Sequence, residues 1–213
     1  MTYRIFIALL SLLIASSVLA LDREYAIAMA NMFELDQKLR NESHITEEAH
    51  RASTDLEKKA ELQDVLKDLY ARTNENDRAN QKEFDKLVGK FGWPTSEKVG
   101  RPGMMATLLV IQHADLSYQL KYAPQLQASA ALGEISRSSY ALFVDRLALR
   151  QNRMQVYGTQ VDTKDGVTLR PVENESELDK RRKEIGLAPV CEYLRNFVAA
   201  YGNITYPACL NGK

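Results

Sequence analysis

Apolar residues recur at helical spacing along most of the chain. Leu21 to Leu39 carries Tyr25, Met29, Met32, Phe33 and the Leu35 and Leu39 pair. Thr46 to Arg72 continues with Leu56, Leu62, Val65, Leu66 and Leu69 between charged residues. Both stretches predict amphipathic helices, the second a long one. Asn74 to Lys90 predicts a third, with Phe84, Leu87 and Val88 as its apolar side, and the dense charges of all three read as a solvated face. Gly89, Gly92, Pro94, Gly100, Pro102 and Gly103 then stop regular structure. Phe91 and Trp93 inside this collar favour burial, which predicts a structured turn and not a linker. Further helices are predicted from near Met104 to about Tyr122 and from about Ser136 to Gln151.

From Met154 to Val172 the period changes. Val156, Tyr157, Val161, Val167, Thr168, Leu169 and Val172 flank an Asp165-Gly166 turn signal, so a short hairpin is expected. Gln155, Tyr157 and Thr159 then share one strand face, with Gln160 on the other and Gly158 allowing close approach. Two closing helices are predicted, Ser176 to Ile185 stopped by Gly186, and Pro189 to Ala200 with Gly202 just beyond. The expected fold is mainly α, a single-domain helical array with one small β-hairpin.

The first twenty residues, MTYRIFIALLSLLIASSVLA, hold one basic residue, Arg4, then an apolar stretch, then Val18 and Ala20 at the positions a signal peptidase reads. A cleavable export signal is expected at 1–20, leaving 21–213 as the single domain, periplasmic or secreted. The alternative, an uncleaved anchor, would need about 20 apolar residues and a stop-transfer pattern. No stable membrane insertion is expected after cleavage. The chain has 28 basic and 28 acidic residues, so loss of Arg4 leaves it near minus one. Nothing in this balance suggests a nucleic-acid partner, which would need a concentrated basic face. Cys191 and Cys209, the only cysteines, are expected to pair in an oxidising compartment, the alternative being two buried free thiols. Sequons at Asn41, Asn174 and Asn203 matter only where the source glycosylates them.

On a wheel of the helix from Met104, Met105, Leu109, Gln112, Leu116 and Leu120 form one stripe, flanked by His113 and Asp115, and the far side is hardly polar. Gln112, His113 and Asp115 are therefore expected to be buried or to line a cleft, each with a partner. Two residues apart on one helix, His113 and Asp115 point in nearly opposite directions and share neither a bond nor a metal. No HExxH, paired CxxC or well-placed third His is present, so neither a metal nor another cofactor is expected. In SSYALFVDRLALR, Asp145 lies among apolar neighbours and Arg146 on the polar edge beside Arg150. A buried ion pair or capping hydrogen bond, or a catalytic role with raised pKa, would each account for Asp145. Arg181 and Arg182 read as surface residues, with phosphate binding as the alternative.

Six motifs in order resemble a bacterial family catalogued only as a domain of unknown function. They are Gly92-Trp93-Pro94, LLVIQHAD (Leu108 to Asp115, with one extra apolar residue before Gln112), Asp145-Arg146, QVYGTQ (Gln155 to Gln160), Arg181-Arg182 and GLAP (Gly186 to Pro189), within about 91–194. The resemblance carries no activity; it implies that His113, Asp115, Asp145, Arg146, Tyr157 and Gln160 converge on one cleft. Amide, hydroxyl and charged groups without a recognisable nucleophile point to binding of an unknown small polar ligand or a protein partner, with Gln112 included in the lining. One alternative is a hydrolase or lyase with His113 as general acid or base, Asp145 orienting it and Tyr157 or Arg146 stabilising negative charge. Another is an immunity or inhibitor protein against an exported toxin.

Overall fold

The computed structural model describes residues 23–210 in full and only the backbone of 2–22, so the expected export signal lies outside the fully described residues. The chain divides into two compact units, Met1–Ala114 and Asp115–Lys213, taken in turn below.

The first unit consists of α1 (Thr2–Ala52), α2 (Leu56–Phe91) and α3 (Ser96–Gln112), with α1 packed on both others. Among the described residues of α1, those buried are Tyr25, Met29, Met32, Asp36, Leu39 and Ser43, alternating steps of four and three. Those of α2 are Leu66, Leu69, Thr73, Asn80, Phe84 and Leu87. This seven-residue seam is how paired helices bury one stripe. Asp55 caps α2 by accepting from the N–H groups of Glu57 and Lys58. Two expected helices thus merge into α2, and the α1–α2 break falls at Ser53 to Asp55. Thr46 and Thr73 lie inside helices, each hydroxyl satisfied by donating to the carbonyl four residues back, Glu42 and Leu69. The collar folds as expected in kind: Tyr25 stacks on Phe91 with ring centroids 4.9 Å apart and donates to the Gly92 carbonyl at 3.0 Å. Helical structure nevertheless starts at Ser96, earlier than predicted, and kinks at Gly100, whose φ of 66° suits glycine.

The second unit opens with α4 (Leu116–Ala131) and α5 (Arg137–Arg150), packed together. Ser136 caps α5, its hydroxyl accepting from the Ser139 N–H at 3.1 Å, so the helix begins about where its sequence predicts. The hairpin is shorter than expected: β1 (Val161–Asp162) pairs antiparallel with β2 (Thr168–Leu169), and Gln155 to Gln160 form no strand beyond one bridge from Gln155 to Val172. After a 3-10 turn at Glu175–Glu177 come α6 (Leu178–Glu184), α7 (Val190–Arg195), α8 (Val198–Tyr201) and α9 (Pro207–Leu210). Val167, Leu169, Val172, Leu178, Val190, Leu194 and Tyr206 form the core of this part. The tail from Asn203 to Thr205 bonds to both sides of the Val167 peptide, and Cys191 and Cys209 are joined in a disulfide. Among the described residues no helix is long and apolar enough to cross a membrane.

Candidate functional site

The helix expected to run through LLVIQHAD stops there. Gln112 is the buried last residue of α3, and His113 caps it, its N–H donating to the Leu109 carbonyl at 2.9 Å. Asp115 begins a new helix: its carboxylate accepts from the Tyr118 N–H at 2.8 Å and the Ser117 hydroxyl at 2.7 Å. The Tyr118 N–H, then Ser117, hold this exposed carboxyl below the usual range. His113 and Asp115 therefore do not share a helix, and Asp115 is exposed rather than buried. A helix apolar on every side is replaced by two, joined by two caps.

In the first unit a charged cluster sits in the α1–α2 seam. Arg40 donates from Nε to Asp36 at 2.9 Å and from Nη2 to Asp77 at 2.6 Å, and Gln37 donates to the other Asp36 oxygen. His113 Nδ1 lies 3.3 Å from Asp36 Oδ1. Burial opposes ionisation of Asp36, but His113, Arg40 and Gln37 outweigh it and hold the carboxyl below its ordinary value. One ligand-type atom each from Asp36, Asp77 and His113 lie within 4.8 Å of one another, a spacing that suits a cation. The cation there is the Arg40 guanidinium, which a metal ion would have to displace from both carboxylates.

The second unit puts Asp145 and the RR pair to a different use. Asp145, wholly buried, accepts at Oδ1 from the N–H groups of Val156 (2.7 Å) and Tyr157 (2.9 Å). Its Oδ2 accepts from the Thr159 N–H and hydroxyl, both at 2.9 Å. Those four bonds match the acceptor capacity of a carboxylate. Arg182, only 1% exposed, grips the opposite side of the same loop, donating to the carbonyls of Tyr157 (2.7 Å), Gly158 (3.1 Å) and Ala188 (2.6 Å). Its guanidinium also lies 4.8 Å from the Tyr193 ring centroid, and Tyr193 donates its hydroxyl to the Thr159 carbonyl. Arg181 takes the Val156 carbonyl, while the Gln155 amide bonds both the N–H and the carbonyl of Gln160. A loop without a ladder thus has its peptides satisfied by side chains, the condition for holding irregular backbone inside a protein. Gly158 belongs to the device: its φ is +61°, and a Cβ there would sit 3.1 Å from a Leu169 methyl. Arg182 is thus buried and not a surface residue, while Arg181, half-buried, donates to the carbonyls of Val156, Asn174 and Glu173.

Two hollows flank α5. Leu120, Tyr140, Phe143, Leu147, Met154 and Val156 are among the residues lining a mainly apolar groove of about 810 Å³. Arg146, Leu149, Arg150, Gln160 and Arg170 line a pocket of about 300 Å³. Of the residues singled out in the sequence, the structure brings Arg146 and Gln160 together at this pocket and Asp145 and Tyr157 together through the loop backbone. Gln112 and His113 belong to the first unit, while Asp115, Asp145, Arg146, Tyr157 and Gln160 belong to the second. Tyr157 stands near Tyr140, whose hydroxyl is pushed up by burial and then by Tyr157.

Asp36, Arg40, Asp77 and Arg170 escaped the sequence reading. Asp36 left a usable trace, a charge at a seam position between Met32 and Leu39. Arg170 left none, because its place is set by the bond from its N–H to the Gln160 carbonyl across the hairpin. No curated protein and no solved structure matches the chain. One family model matches residues 29–205, most of the length, with motifs of both units inside it. The chain belongs to that family, described as a family of unknown function, DUF6624.

Proposed function

We propose that this is an exported bacterial binding protein of the cell envelope, taking a small polar ligand in the pocket lined by Gln160 and Arg146. The observation that carries this reading is the Asp145 and Arg182 clamp, which fixes the backbone of Val156 to Thr159 and so sets Gln160 at the pocket. Holding an irregular loop rigid is how a binding site avoids ordering costs when its ligand arrives. Turnover is less well supported, since Asp145 accepts four hydrogen bonds from the loop and is wholly buried. Export is supported by the pattern of residues 1–20 and by the disulfide.

The test is native mass spectrometry of protein purified from its own envelope, beside a Gln160→Ala, Arg146→Ala variant with an unchanged circular dichroism spectrum. A small molecule retained by the parent and lost by the variant is expected. Equal retention by both rules this pocket out.

A further inference from the structure

We infer that the pocket between α5 and the hairpin is an oxyanion site built for a phosphoryl group, with Arg150 and Arg170 as binding residues beside Arg146 and Gln160. The inference rests on the binding reading above and assigns its ligand a chemical class. Three arginines from two separate parts of the chain line one hollow of about 300 Å³: Arg146 and Arg150, one turn apart on α5, and Arg170 just after β2. Each guanidinium carries five N–H donors in a fixed fork and can donate to more than one oxygen at once. A planar carboxylate is matched by one such fork. Forks arriving from a helix and from a hairpin suit a group whose oxygens point in three directions, the geometry of a phosphate monoester.

Gln160 contributes differently. Its Nε2 donates to the Thr159 hydroxyl at 3.1 Å, and Thr159 itself is fixed by Asp145. The amide is therefore oriented through the clamp, and its oxygen suits a hydroxyl on the organic part of the ligand. Leu149 supplies an apolar wall for that part. Asp115 lies within electrostatic reach of Arg150 and moderates its field, which ranks Arg146, half-buried, and Arg170 above Arg150 as anchors.

The experiment is isothermal titration of the mature protein with inorganic phosphate, acetate and a neutral sugar, with chloride holding ionic strength constant. Saturable phosphate binding is expected, with acetate weaker. Arg146→Ala should weaken phosphate by about tenfold or more, the loss of one charge-assisted contact. Arg146→Lys, which keeps the charge and loses the fork, should fall between. Phosphate binding no stronger than acetate, or unchanged in both Arg146→Ala and Arg170→Ala, overturns the inference. If a neutral sugar binds in a Gln160-dependent way while phosphate does not, the oxyanion assignment falls and the binding reading stands. If no probe binds and the parent and the double variant retain the same molecules, both fall.

Discussion

The two units treat buried charge in opposite ways. In the first, Asp36, Arg40, Asp77 and His113 face one another, side chain to side chain, near the rim of a helical seam. In the second, Asp145 and Arg182 face peptide groups, one gripping N–H donors and the other carbonyl acceptors of a single loop. A charge paired with another charge is replaceable by any partner that neutralises it. A charge that organises backbone has no substitute, because several polar groups lose their only partner together.

Removing Asp145 should therefore have the largest effect. Asp145→Ala orphans three amides and a hydroxyl in the interior. A loss of about 3 to 5 kcal/mol in urea unfolding is expected. Loss below about 1 kcal/mol would mean that water reaches the loop. The disulfide comes next: Cys191→Ser frees a tail that closes over the hairpin, and about 3 kcal/mol should be lost for a loop of this length. Arg182→Lys follows at about 2 kcal/mol, since an ammonium cannot span three carbonyls held by a planar fork.

The smallest effect belongs to the first unit. Asp77→Asn should cost less than about 1 kcal/mol, as expected for a pair reached by water. Asp36 adds a pH signature. Its folded pKa is depressed, so its stabilisation is present above the ordinary value of 3.8 and is lost as pH falls through the lower folded value. Unfolding of Asp36→Asn followed from pH 6 downwards should show a shallower decline than the parent; an identical decline would remove Asp36 from the acid response.

What the sequence made legible follows from the range of each interaction. The start of α5 near Ser136, the collar after α2 and the pairing of two cysteines are local or arithmetical, and they are found where expected. The break at His113 to Asp115 was hidden because Leu116 and Leu120 continue the apolar stripe of α3, although Asp115 three residues before Tyr118 is a capping arrangement. The burial of Asp145 was legible from its apolar neighbours, but its partners were not, because they lie 11 to 14 residues on. The partners of Arg182 in the loop are 24 to 25 residues away, and an adjacent Arg181 made the pair look like a surface feature. The pocket combines a helix face with the end of a hairpin, a juxtaposition no periodicity reveals.

Amide hydrogen exchange of the loop tests the clamp most directly. The N–H groups of Val156, Tyr157 and Thr159, bound to Asp145 in a segment without regular structure, should exchange as slowly as those in the middle of α5. They should speed up by orders of magnitude in Asp145→Asn while α5 stays protected. Rapid exchange of these amides in the parent protein would contradict the clamp, and with it the preformed pocket.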